Sequence, residues 1–277
     1  MGARRQLVAR SPSGDHRAPT YQLSIQPCTP REIKSGYLAI PPICKRSISH
    51  LKCLQKGSGR VLPRSLQLIF QEGNDVKLYY SPGACSMASH VILHEIGKPF
   101  EIEKVNTKTK VMDSGRDYWA INPKGAVPAL ELGDGEILTE GPAILQYIAD
   151  SNGATELAPP AGTLARARVH EMLSFVGSEL HKAFSPLFQP GKSDAEKEAA
   201  REAVGKKFGW LETCLSDGRA YLTGSAFTVA DAYAFVVASW ANFTGISLAA
   251  WPNLKAYVER IAARPSVQAT LKAEGLA

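Results

Sequence analysis

The chain has 277 residues, 44% of them hydrophobic, with a mean hydropathy of −0.13, which suits two soluble globular domains better than one. No apolar run approaches the roughly 20 residues that cross a bilayer, so a membrane-spanning helix is excluded. The net charge of +6 is misleading: residues 1–75 hold 12 Lys+Arg against 4 Asp+Glu, and the remainder holds 20 against 22. The basic character belongs to the first segment alone and makes no case for a nucleic-acid surface on the rest.

Residues 1–75 lack sustained periodicity and mix Arg, Ser and Pro with short apolar pieces such as Ser65 to Phe70. They read as a disordered or irregular basic extension. The composition fits a transit peptide or a basic tail for an anionic partner. A third reading is preferred, in which translation starts at Val76. Gln71-Glu72-Gly73 can be encoded by CAG-GAG-GG, a purine-rich ribosome-binding sequence, and GTG is both a valine codon and a bacterial start codon. An intact mass that includes the first segment would sink this reading.

The cysteines divide in the same way: Cys28, Cys44 and Cys53 precede Val76, and Cys85 and Cys214 follow it. Two lone cysteines in about 200 residues are no disulfide framework, so a reducing compartment, the cytoplasm, is expected. No Cys/His cluster has zinc-ligand spacing, and no metal is expected.

Val76 to Tyr80 is a β-branched and aromatic run that predicts a strand. Ser81-Pro82-Gly83 ends it. Met87, Val91, Ile92 and Ile96 then recur at helical spacing, and Gly97 closes a helix over 86–96. Cys85 falls where the turn enters that helix. Free N–H groups and the helix dipole there favour a thiolate; the bland alternative is an ordinary buried cysteine. Phe100 to Val105 alternates as a half-buried strand. Asp113 to Ile121 is expected to be a short helix, and Asn122-Pro-Lys-Gly125 a turn. Val127 to Leu132 and Glu136 to Thr139 form a hairpin around Gly133-Asp-Gly135, with Val127–Pro128 predicted cis. Gly141 to Ser151 is a helix with Pro142 in its first turn. The order is β-α-β-α-β-β-α.

Three stretches resemble the thioredoxin-like domain of glutathione transferases: Tyr80-Ser-Pro-Gly-Ala-Cys-Ser86, Asn122-Pro-Lys-Gly-Ala-Val-Pro-Ala-Leu130 and Leu138-Thr-Glu-Gly-Pro-Ala-Ile-Leu-Gln-Tyr-Ile-Ala149. The cysteine at the first helix resembles the bacterial beta class. The resemblance implies a glutathione transferase fold, with a thioredoxin-like domain over 76–155 and an all-α domain over 162–277. It implies glutathione as co-substrate with no cofactor. By the same resemblance the Val127 backbone, before Pro128, pairs with the cysteinyl part, Glu140 takes the γ-glutamyl ammonium, and Gly141 N–H receives its carboxylate. Lys110 would meet the glycyl carboxylate. Without the resemblance, Glu140 reads as a charge near a helix start and Lys110 as a solvated loop lysine.

Asn152-Gly153 and Ala158-Pro-Pro-Ala-Gly162 mark a linker. Val169, Met172, Leu173, Val176, Leu180, Phe184 and Leu187 predict one long amphipathic helix stopped or bent at Pro190-Gly191. Ser193 to Leu215 is a second helix, with Cys214 expected in the core. Thr228 and Asp231 fit a capping box opening a third, and Trp251-Pro252 starts a further helix before a short last one. On the long helix, His181-Lys182 reads as a surface pair from its own residues. By resemblance it faces the cleft, with His181 catalytic beside sulfur and Lys182 on a carboxylate. Ser174 stands where relatives often place an asparagine, and the shorter group makes it the weaker candidate.

The expected function is conjugation of glutathione to small hydrophobic electrophiles, in detoxification, by a homodimer that binds neither nucleic acid nor membrane. Cys85 could also form a mixed disulfide with glutathione, since Cys85-Ser-Met-Ala88 has no second cysteine to resolve it. The rivals are a dedicated thiol–disulfide oxidoreductase and a non-catalytic binder on the same fold.

Overall fold

The computed structural model describes residues 76–277; the readings of residues 1–75 lie outside the described residues. Four strands, β1 (Lys77–Tyr80), β2 (Glu101–Lys104), β3 (Ala129–Glu131) and β4 (Ile137–Thr139), form a sheet of order β2-β1-β3-β4. β1 runs parallel to β2 and antiparallel to β3, which pairs antiparallel with β4. Helix α1 (Met87–Ile96) crosses from β1 to β2, the connection a parallel pair requires. Helix α2 (Gly141–Ser151) follows β4, and Val127–Pro128 is cis, as expected. The period-two alternation of β1 divides the core. Leu78 and Tyr80 join α1 and α2 on one face, while Tyr79 packs with Val105, Met112 and Tyr118 on the other.

The expected helix over 113–121 is reduced to a single 3₁₀ turn, Tyr118–Ala120. Its backbone is committed elsewhere: Asp113 N–H donates to Lys104 O at 3.0 Å, and Val111 bridges to Asp117. Gly115, at φ 81°, turns the chain between them.

The remainder is helical. The long amphipathic helix comes in three pieces: α3 (Leu164–Phe175), a π turn (Val176–Leu180) and α4 (His181–Phe188). Within it Ser178 Oγ donates back to Ser174 O at 2.8 Å, a bond that competes with the backbone ladder. α5 (Asp194–Leu215) buries the stripe Ala200, Val204, Phe208, Leu211 and Leu215. Cys214 lies beside that stripe and is only half-buried, a correction to its expected place in the core.

α6 (Val229–Ser239) is buried from Val229 to Ala238, as a helix apolar on every side must be. The short α7 (Ala241–Thr244), α8 (Pro252–Ala262) and α9 (Pro265–Glu274) complete the chain. The capping box at Thr228 forms, and its acid does more than cap. The fully buried Asp231 accepts from Thr228 N–H and Oγ (both 2.8 Å), Leu222 N–H (2.8 Å) and Tyr257 OH (3.0 Å). Thr228→Ala is expected to cost about 1 kcal/mol; a wild-type denaturation midpoint in that variant would contradict the assignment.

Candidate active site

A cleft of about 690 Å³ lies where the sheet-bearing residues meet α3, the π turn and α4. Cys85, Val127, Pro128, Glu140 and Gly141 line it from the first side, and Ser174, His181 and Lys182 from the second. The π turn brings Ser174, Gly177, Ser178 and His181 onto that wall together, a use of such bulges that recurs at functional sites. Lys110 is the predicted residue that does not line the cleft. Its Nζ donates to Gly125 O at 2.6 Å and lies over the Trp119 ring.

The turn carrying Cys85 is held from both directions. Gly83, at φ +68°, donates its N–H to Glu274 Oε2 and accepts from Trp240 Nε1 at its carbonyl, each at 2.9 Å. Glu274 also bonds His90 Nδ1 at 2.9 Å, tying the end of α9 to α1. Ser86 Oγ accepts from Ser81 N–H at 3.1 Å, closing the turn on itself.

Cys85 Sγ donates to Val127 O at 3.3 Å. Burial pushes this thiol up to about 11, although its own N–H and that of Ser86 act to lower it, and Glu140 adds to the rise. The expectation of a depressed thiol pKa is therefore corrected. Helix-start N–H groups do act on the sulfur, but removing a thiolate from water costs more than they return.

Opposite stands His181, whose Nδ1 lies 2.8 Å from Tyr233 OH and whose ring meets Trp240 edge to face. Burial lowers the pKa of His181 and raises that of Tyr233, so both are neutral near pH 7. A neutral phenol and a neutral imidazole share one hydrogen bond at this contact, between Tyr233 OH and His181 Nδ1.

At the start of α2, Glu140 sits at φ 73°, unusual for a side chain with a Cβ and a form of strain that gathers at functional sites. Its carboxylate pairs with Lys124, which also donates to Thr139 Oγ at 2.8 Å. Lys124, Asn122 and Tyr233 line the cleft and were not singled out from sequence. Lys124 and Asn122 lie inside the quoted Asn-Pro-Lys-Gly turn, so the signal for them was present; nothing in the sequence marks Tyr233.

The chain matches the family description "Glutathione S-transferase, N-terminal domain" over residues 83–151 and "Glutathione S-transferase, C-terminal domain" over 175–265. It is 44% identical over 201 residues to the glutathione S-transferase GstA of Escherichia coli O157:H7, covering 73% of this chain and all of that one. A bacterial beta class glutathione S-transferase from Sphingomonas chungbukensis is 53% identical and superimposes with a TM-score of 0.70 over 73% of this chain and all of its own. A sphingomonad glutathione S-transferase complexed with glutathione is 52% identical, with the same TM-score and coverage. With both family regions matched in order on either side of the cleft, the chain belongs to the glutathione S-transferase family.

Proposed function

We propose that this protein is a glutathione transferase of the bacterial beta class, in which Cys85 is the catalytic residue facing the glutathione sulfur. The observation that carries the reading is the cleft itself: a thiol at a helix start, a carboxylate and lysines around one groove, matching the thiol, ammonium and carboxylates of the tripeptide. Glu140 takes the γ-glutamyl ammonium, and the N–H groups at Gly141, opening an eleven-residue helix, take its carboxylate. The Val127 backbone before Pro128 pairs with the cysteinyl part. Lys182, with Lys124, supplies positive charge for the carboxylates, and Ser174 adds a polar contact. The two halves divide at residues 76–155 and 162–277, and the electrophile is a small hydrophobic molecule met from the helical side.

The raised thiol pKa supports a donor role for Cys85. A neutral S–H, turned from Val127 O to the glutathione thiolate, donates its one hydrogen bond there and stabilises the thiolate as nucleophile, with no step in which Cys85 itself attacks. The remaining work is alignment of thiolate and electrophile. His181, its pKa lowered by burial, stands on the same wall with its Nδ1 bonded to Tyr233 OH. We place the enzyme in the reducing cytoplasm, where Cys85 and Cys214 remain thiols, as a two-fold homodimer acting in detoxification.

A second reading rests on the absence of a partner cysteine within Cys85-Ser-Met-Ala88. The Cys85 thiolate attacks a glutathionyl disulfide, expelling the other thiolate. A second glutathione thiolate then attacks the Cys85–glutathione disulfide, releasing glutathione disulfide and restoring Cys85.

Retention on immobilised glutathione, elution by free glutathione, and thioether formation with a nitro-activated aryl chloride are the expected results. Retention without thioether formation would favour the binder, and no retention would end the reading. Mass spectrometry without reductant reports any glutathione carried on Cys85.

A further inference from the structure

We infer that Asn122 and Tyr118 are positioning residues for the tripeptide: together they hold the Ala126 carbonyl and so present the Val127 backbone to the cleft. The inference rests on the proposed glutathione site.

Tyr118 and Asn122 are 0% and 1% exposed. Tyr118 OH donates to Ala126 O at 2.8 Å and Asn122 Nδ2 donates to the same oxygen at 2.7 Å. Two donors occupy both lone pairs of one carbonyl. Asn122 Oδ1 accepts from Lys124 N–H at 3.0 Å, and Asn122 O accepts from Gly125 N–H at 2.8 Å. The preceding carbonyl, Gly125 O, is taken by Lys110 Nζ at 2.6 Å. Gly125 itself, at φ +61°, would set a Cβ 2.6 Å from the Trp119 ring, so only glycine fits.

Three side-chain donors thus grip two consecutive carbonyls immediately before Val127, far more than a surface turn needs. The consequence follows from peptide geometry. The C=O and N–H of one trans peptide unit point in opposite directions, so fixing Ala126 O on the buried side aims Val127 N–H the other way. Among the described residues that N–H has no hydrogen-bond partner, and Val127 lines the cleft. Val127 O, on the next peptide, already receives Cys85 Sγ at 3.3 Å. The grip therefore sets both the edge that pairs with the cysteinyl part and the acceptor beside the thiol. Burial pushes the Tyr118 hydroxyl up to about 12, which keeps it a donor across the working range.

Tyr118→Phe removes one donor and nothing else; Asn122→Asp keeps the acceptor for Lys124 N–H and removes the other donor. Each folded variant is expected to raise KM for glutathione about 3- to 10-fold, with kcat within about twofold and KM for the electrophile unmoved. γ-Glutamylcysteine in place of glutathione should show the same factor, because the cysteinyl part, and not the glycyl carboxylate, depends on Val127. A merely structural role would lower the melting temperature without separating the two KM values. Unchanged glutathione KM in folded variants, equal loss for both substrates, or a loss confined to intact glutathione would each overturn the inference. Should Asn122→Asp fail to fold, Tyr118→Phe alone decides. A wild type that neither binds nor conjugates glutathione removes the functional reading as well, whereas a normal wild type with unmoved variants removes this inference alone.

Discussion

Asp231→Ala is expected to lower the unfolding free energy by about 3–5 kcal/mol, the largest effect of any single substitution considered for the helical half. The carboxylate is fully buried and accepts from four donors: Thr228 N–H and Oγ, Leu222 N–H and Tyr257 OH. Alanine leaves all four without their acceptor in a region where water does not reach, and each orphaned buried donor costs about 1–3 kcal/mol. Thr228→Ala, in contrast, costs about 1 kcal/mol, because Asp231 still holds the backbone of residues 222 and 228. The ordering of the two variants is the test. If chemical denaturation gave Asp231→Ala a loss no larger than that of Thr228→Ala, the carboxylate would be a cap and nothing more. Asp231→Asn should fall between them, since it keeps one acceptor oxygen and adds a donor where donors are already in excess.

The second large effect is on the chemistry of Cys85. With its thiol held near pKa 11, only about one molecule in ten thousand carries the thiolate at pH 7. Alkylation of Cys85 by iodoacetamide should therefore be slow at neutral pH and climb about tenfold per pH unit to beyond pH 10. The sign is fixed by the direction of the shift: burial raises the pKa, so the protonated form persists to higher pH than in a free cysteine. A rate that levels off below pH 8 would show a thiolate poised for attack and would move the balance toward disulfide exchange. In the donor role, Cys85→Ser keeps an O–H toward the glutathione sulfur and should retain most conjugation. Cys85→Ala removes the donor and should lower kcat about 10- to 100-fold. Both should abolish any glutathione adduct in the intact mass. Conjugation unchanged in Cys85→Ala would remove Cys85 from the conjugation step and leave it only a redox role.

Much of the architecture was readable along the chain because it depends on local rules. The run Val76 to Tyr80, the breaker Ser81-Pro82-Gly83 and the closing Gly97 bound one strand and one helix without reference to anything distant, and the structure places both within a residue or so. The α2 helix begins and ends where Gly141-Pro142 and Asn152-Gly153 say it should. Its failures are equally physical. Asp113 to Ile121 was expected to be a short helix, yet Asp113 N–H pairs with Lys104 O and Asp117 bridges to Val111, and no local pattern encodes a partner nine residues away. The periodicity from Val169 to Phe188 does not reveal a π turn, because one extra residue in a turn shifts the apolar stripe by less than its own width.

The sequence by itself determined most of the order of elements, through short motifs and the apolar period, and the resemblance those motifs carry pointed to the family and to Cys85, Val127, Glu140, Gly141, His181 and Lys182 at the cleft. Only the tertiary structure decided the burial of the Cys85 thiol and the place of Lys110. A helix start lowers a thiol pKa from sequence-adjacent N–H groups, but the burial that outweighs them comes from chain brought in from elsewhere in the fold. Lys110 is a free cation when read in line, and it becomes a strut on Gly125 only because the turn at 122–125 folds back to meet it. Solvent exclusion and distant partners are sums over the whole packed molecule, and no stretch of residues holds them alone.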